Sequence, residues 1–234
     1  STGFFEAGIF SDKDSLVEEL LRRGPREILV SGEEQCSPII EGVRGKFTDI
    51  LISDSSKNAD GVAHLEKILG RNKPDFPPQS LDAAASLLSY VSQMQKGRLA
   101  QFSSLELHCH GSGMRLDEST IRNLELVSSM RDGERLGSLL DVIDKTSTAV
   151  GARKLRDWLL YPLTDVTKIE MRLGAVSEIL ASGKILREVP ALLSRMYDLE
   201  RLTGKIGSGT VNARDLVALM NSFKAVSSLK SFLE

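Results

Sequence analysis

The chain has 234 residues, 41% of them hydrophobic and 26% charged, a balance that excludes a disordered or collagen-like polypeptide. Thirty Lys and Arg against 32 Asp and Glu leave a formal net charge of -2, so no global positive field is available to hold nucleic acid or an anionic membrane. Aromatic residues, at 5%, are too sparse for a base-stacking binder of single strands.

Up to Leu107, strand-like and helix-like segments alternate. Gly3 to Ile9 reads as an edge strand. Ser11 is expected to cap a helix that carries Leu16, Val17, Leu20 and Leu21 on one face and stops before Pro25. The short apolar runs Glu27-Ile28-Leu29-Val30 and Asp49-Ile50-Leu51-Ile52 read as buried strands. Asp60 to Leu69 looks helical, and Lys73-Pro74-Asp75-Phe76-Pro77-Pro78 is an extended connector. A third helix is expected from Leu81 to Gln95, with Ala84, Leu87, Leu88 and Val91 at helical spacing. Strands alternating with helices predict an α/β unit with a short, mostly parallel sheet.

Beyond Met114 the helical period takes over. Thr148 is placed to cap a helix burying Leu155, Trp158 and Leu159, which Pro162 ends. Asp165 opens a second, with Ile169, Leu173, Val176 and Leu180 on one stripe. Asn212 caps a third, with Leu216, Leu219, Met220 and Phe223 at i, i+3, i+4 and i+7. The expected division is therefore 1–107, α/β, and 108–234, all-helical. Residues 1–104 carry 12 Lys and Arg against 15 Asp and Glu, a net of -3; the remainder carries 18 against 17, a net of +1. Neither half is a basic module.

Cys36 and Cys109 cannot make a disulfide framework, so a reducing compartment is the default. No run of 18 apolar residues and no signal-peptide pattern occurs. The chain opens on Ser1-Thr2-Gly3 without a methionine and is expected to start partway through a longer protein.

Several constellations invite chemistry and fall short of it. On a strand, His108 and His110 would face one way and Cys109 the other, leaving two convergent ligands where zinc takes three or four. A phosphate loop needs Gly, four residues, then Gly-Lys-Ser/Thr. The Gly-Lys pairs at Gly45, Gly183 and Gly204 precede Phe47, Ile185 and Ile206 instead, and Ile40, Glu178 and Leu199 stand where the first glycine belongs. Gly204 to Thr210 is then a helix-helix connection. Asp49 and Asp54, with Glu41 and Asp60 near them in sequence, are the carboxylates on which a metal-dependent nuclease in the α/β half would rest. They serve equally as strand-end and turn residues. No Gly-x-Ser-x-Gly elbow is present. Arg153, Lys154 and Arg156 beside Trp158 read as a solvated helix face.

The strings of the second half carry more. Met114-Arg115-Leu116-Asp117-Glu118-Ser119-Thr120-Ile121-Arg122-Asn123-Leu124-Glu125-Leu126 is a first signature. Ser138-Leu139-Leu140-Asp141-Val142-Ile143-Asp144-Lys145-Thr146-Ser147-Thr148 with Gly151-Ala152-Arg153-Lys154-Leu155-Arg156-Asp157-Trp158-Leu159 is a second, closed by Pro162-Leu163. Asp198-Leu199-Glu200-Arg201-Leu202, followed by Asn212-Ala213-Arg214-Asp215-Leu216, is a third. In this order they resemble the core, or lever, domain of the MutS family of DNA mismatch-repair proteins. Ser1-Thr2-Gly3-x-Phe5 resembles the first strand of that family's connector domain, so the resemblance covers essentially the whole chain. Phe4-Phe5-Glu6 has the Phe-x-Glu spelling of the family's mismatch wedge, but it lies on the connector's first strand and is not that motif.

The resemblance implies an RNase H-like connector at 1–107 and the first part of the helical lever at 108–234. The mismatch-binding domain would lie upstream, and the clamp and ATPase domains downstream. It implies a module that couples mismatch binding to the ATPase, with a MutL-like partner on the connector. It also implies a dimeric longer protein that binds mismatched duplex DNA and uses ATP and Mg. It further implies a cytoplasmic setting, close to the nucleoid. Within this chain no catalytic, cofactor-binding or metal residue is expected, nor any membrane contact. The residues of the signatures are expected to pack: Asp117 as a cap for a helix anchored by Ile121, Leu124 and Leu126, with Thr120 and Asn123 tying it to a neighbour. Gly151 would permit close helix packing, and Trp158 would be a buried anchor. Pro162 and the Gly204–Gly209 loop are candidate pivots. A paralogue working in recombination is the related alternative.

Overall fold

The first helix starts one residue later than its sequence suggests. Asp12, not Ser11, is the cap: its carboxylate accepts the Ser15 amide at 2.8 Å, and Ser11 Oγ donates to that same carboxylate. A carboxylate satisfies the free amides of a first turn and also favours the helix dipole. In this computed structural model the described residues are 4–31, 33–44, 50–54, 58–70, 76–107, 113–114 and 116–233, without the side chains of 33–38. The chain divides into two compact units, Ser1–His110 with Ile206–Gly209 and Gly111–Lys205 with Thr210–Glu234.

The first unit runs β1 (Glu6–Ala7), α1 (Lys13–Arg23), β2 (Glu27–Val30), α2 (Glu33–Arg44), β3 (Leu51–Asp54), α3 (Ala59–Leu69), α4 (Pro78–Met94) and β4 (Glu106–Leu107). The strands form two parallel pairs: β1 with β4, Glu6 opposite Glu106, and β2 with β3, Glu27 opposite Leu51. Three features differ from the sequence expectation. The strand after α2 begins at Leu51; α2 itself was not expected, because Pro38 and Gly42 both weaken a helical reading. The third helix begins at Pro78, where a proline at the first turn loses no hydrogen bond.

The core of this unit gathers Phe5, Leu65, Phe76, Leu88, Leu99, Phe102 and Leu105, with Phe5 and Phe102 edge-to-face at 5.6 Å between centroids. Phe5 is therefore a packing residue. Each large side chain buried here contributes about 1.5–3 kcal/mol of transfer free energy. Helices α3 and α4 approach closely because Gly61 faces Ser89: a Cβ at Gly61 would lie 2.2 Å from Ser89 Oγ and 2.5 Å from its backbone N. Ser89 is fully buried. Its hydroxyl donates to the Ala85 carbonyl and receives the Asn58 amide, so the seam leaves that hydroxyl satisfied.

The second unit contains α5 (Glu118–Asn123), α6 (Leu139–Ile143), α7 (Ala149–Leu160), α8 (Val166–Ala181), α9 (Gly183–Leu193), α10 (Leu199–Gly207) except its last two residues, and α11 (Ala213–Leu233). Its helix starts follow the sequence: Asp117 accepts the Thr120 amide at 2.6 Å, Thr148 the Gly151 amide at 3.0 Å, and Asp165 the Thr167 and Lys168 amides. Chain continuity near Pro162 is braced by a bridge between Gly113 and Leu163, where Met114 donates to the Pro162 carbonyl at 2.6 Å.

The apolar stripes of this unit face differently from expectation. Leu173, Val176 and Leu180 of α8 are exposed, as are Leu216, Met220 and Phe223 of α11. The buried residues of α11 are Asp215, Ser222 and Ala225 instead. No element among the described residues covers those stripes. Leu124 is also exposed, and Leu126 takes the buried place. No helix among the described residues is long and apolar enough to cross a membrane.

Candidate functional site

The second and third signatures meet in one polar joint. Arg153, on α7, sends both terminal nitrogens to Asp198: Nη1 to Oδ2 at 3.0 Å and Nη2 to Oδ1 at 2.8 Å. Glu200 Oε2 stands 2.8 Å from the same Nη2. Fork-to-fork pairing of this kind fixes direction as well as distance. Asp198 has a second task, because its Oδ1 accepts the Arg201 amide at 3.3 Å and its carbonyl the Leu202 amide, which starts α10. The hydrogen bonds from Arg153 hold the Asp198 carboxyl below the usual carboxylate range and raise the guanidinium, against the opposing effect of burial.

The joint continues through α10 into α11. Asn212 accepts the Asp215 amide while Asp215 accepts the Asn212 amide, a reciprocal cap at 3.0 and 3.1 Å. Lys205 Nζ lies 2.9 and 3.0 Å from the two oxygens of Asp215, and this contact depresses the Asp215 carboxyl. Nearer the start of α10, the Tyr197 amide donates to Ser222 Oγ at 3.0 Å, and that hydroxyl donates to the Ala218 carbonyl. Three polar ties thus hold α7, α10 and α11: Arg153 to Asp198, Lys205 to Asp215, and Tyr197 to Ser222. Leu202, on α10, is only 1% exposed.

The first signature and the start of the second build a brace of local turns. Glu125, in the left-handed region at φ 48, offers its carbonyl to Leu139 and its carboxylate to the Met130 amide. Asp144 accepts from Thr146 Oγ1 and its amide and pairs with Arg135, which lowers its carboxyl to about 2.

Several sequence readings change here. Arg153 is committed to carboxylates and is not part of a solvated basic face. Trp158 is 42% exposed, with the Arg172 guanidinium 3.9 Å above its ring, while Leu160 supplies the buried anchor. Gly151 approaches Thr146 and Thr148 of its own capping loop, not a neighbouring helix. Gly204 to Gly207 are the last turn of α10, so the connection is only 208–212, and Lys205 is engaged by Asp215. Asp54, Glu41 and Asp60 are exposed. Among the described residues no three His, Cys, Asp or Glu side chains are grouped to share a metal ion. His108, Cys109, His110, Asp49, Ser1 to Gly3, Gly45 to Phe47 and Lys73 to Asp75 lie outside the described residues, as does the Cys36 side chain.

The pairing of Arg153 with Asp198 was not readable from periodicity, since 45 positions separate them. Their presence inside two of the quoted signatures was the available signal.

Comparison with known proteins agrees with that signal. The MutS domain III family matches residues 119–234. The chain is 38% identical over 245 aligned residues to the DNA mismatch repair protein MutS of Symbiobacterium thermophilum, covering 100% of this chain and 28% of that protein. It is 37% identical to the DNA mismatch repair protein MutS of Acaryochloris marina, over 98% of this chain and 28% of that protein. For the MutS of Syntrophobacter fumaroxidans the identity is 34%, over 100% of this chain and 27% of that protein. The chain therefore spans less than a third of the length of these relatives. It belongs to the MutS family, and residues 119–234 carry the family's domain III, the helical core or lever region.

Proposed function

We propose that this chain is the connector and the first part of the lever of a longer mismatch-recognition protein, with the boundary at 107/108. In this reading it transmits rather than catalyses: it couples binding of mismatched duplex DNA elsewhere in the protein to an ATPase that it does not contain. The observation that carries the reading is the polar joint of Arg153, Asp198, Lys205 and Asp215. A transmitting element needs helices that move as one body, and charge-assisted pairs across three helices supply that stiffness.

An RNase H-like arrangement of 1–107 belongs to the same reading, supported by the two parallel strand pairs with helices beside them. So do a MutL-like partner on that half, a dimeric longer protein using ATP and Mg, and a place in the cytoplasm near the nucleoid. Relatives named for mismatch repair favour this over a recombination paralogue.

The test uses the chain itself. It should hydrolyse ATP no faster than background, bind duplex DNA weakly and without mismatch preference, and bind a MutL-like protein saturably through 1–107. ATP turnover, a tight mismatch-selective complex, or failure to bind the MutL-like protein contradicts the corresponding part.

A further inference from the structure

We infer that the cleft between the start of α10 and the start of α11 is a docking site for an acidic segment of a partner protein, one that presents carboxylates beside apolar side chains. The cleft has a volume of about 480 Å³. One wall is a single face of α11: Arg214, Val217, Ala218 and Asn221, at the i, i+3, i+4 and i+7 spacing that lines up one side of a helix. Facing it are Arg201 and Leu202 of α10 and Tyr197, which leads into that helix. The walls are tied to each other by the Tyr197 amide on Ser222 Oγ and by Lys205 on Asp215, so the cleft stands ready-made.

The charges around it leave two cations over. Asp215 is taken by Lys205, and Asp198 by Arg153, which also meets Glu200. The Arg201 charge acts on both aspartates without forming an ion pair with either. Among the described residues neither the Arg201 nor the Arg214 guanidinium has a hydrogen bond or ion pair, and both residues are exposed. The Tyr197 hydroxyl and the Asn221 side-chain amide are likewise unengaged there. Two forked cations call for paired anionic oxygens, and clustered arginines are a common reader of acidic motifs. Leu202, Val217 and Ala218 add apolar surface that a bare phosphate would leave unused. Residues 105–234 carry 18 basic against 17 acidic side chains, too even a balance to hold a polynucleotide. An acidic peptide with apolar neighbours matches both features, and exposed tyrosine beside arginine is the usual anchor of protein contacts.

The site does not depend on the transmitting role. NMR titration of the whole chain tests it, with a pentapeptide of alternating leucine and glutamate blocked at both ends. The peptide should shift the Tyr197, Ala218 and Asn221 amides saturably, with a Kd of about 1 mM or below. Arg201→Gln and Arg214→Gln change exposed side chains and should each weaken binding by about five-fold or more. Lys224→Gln, a cation on α11 outside the cleft, should leave it unchanged. The glutamine counterpart of the peptide should not bind. Equal binding of that counterpart overturns the site, as does the absence of shifts at about ten times the expected Kd. Affinity unchanged in both arginine variants overturns it too. Inorganic phosphate or a short DNA duplex binding the same residues more tightly than the peptide would assign the arginines to phosphate instead and refute an acidic protein partner. The transmitting role fails on a different measurement, the ATP turnover of the longer protein.

Discussion

Arg153 and Asp198 face each other fork to fork across a sequence separation of 45. The pair orients α7 against the start of α10, and Asp198 cannot leave it without also loosening the first turn of α10. Two structural tasks rest on one carboxylate.

That double role predicts unequal mutants. Arg153→Ala removes the pair, whereas Asp198→Ala removes the pair and the cap. With the arginine side chain 42% exposed, solvent screening keeps the pair itself at about 0.5–1 kcal/mol. Losing a helix cap costs about 1 kcal/mol more. Urea denaturation should therefore rank Asp198→Ala below Arg153→Ala. A double-mutant cycle between them should give a coupling near the smaller figure.

Acid should weaken the helical unit in a defined window. Asp117, Asp144, Asp198 and Asp215 all titrate lower in the folded chain than an ordinary Asp, Asp144 at about 2. The unfolded chain then binds protons first as pH falls, so their stabilisation is complete above the ordinary Asp range near 3.9 and fades toward each folded value. Thermal melts should drop between about pH 4 and 2. Asp144→Asn should make that drop shallower, and NMR titration of the Asp144 carboxyl should find its midpoint near 2.

Two glycines should respond with opposite signs. Gly61→Ala drives a methyl into the Ser89 backbone and should destabilise the first unit by about 1–3 kcal/mol, as overpacked cores do. Gly174, in the middle of α8, has nothing within 4 Å of an added Cβ, so Gly174→Ala should stabilise by about 0.5–1 kcal/mol. Chemical denaturation of both variants checks the pair.

Trp158 is the only tryptophan and reports on α7 directly. Half exposed beneath Arg172, it should emit toward the red and be quenched readily by acrylamide. Arg172→Ala should increase that quenching. A blue-shifted, protected emission would restore the buried anchor that the sequence suggested.

Local chemistry was legible and long-range chemistry was not. Asp117, Thr148, Asp165 and Asn212 were readable as caps because each bonds an amide two or three residues away. The run Glu27 to Val30 was readable as a strand for the same local reason. β4 escaped because two residues carry no pattern, and α9 because Pro190 interrupts it. The stripe on α11 gave the wrong face: amphipathicity marks an apolar side but not what covers it, and polar Asp215 and Ser222 are buried through hydrogen bonds instead. Which arginine meets which aspartate depends on the fold, and no spacing rule reaches across the chain from Arg153 to Asp198.

The most direct test of transmission is the mismatch-dependent change in ATP turnover of the longer protein carrying Arg153→Ala. A loosened joint should leave mismatch affinity close to wild type and reduce the coupling between mismatch and ATPase by about five-fold or more, within the usual range of allosteric coupling. Unaltered coupling, with the Arg153–Asp198 pair shown to be broken, would contradict a transmitting role for these helices.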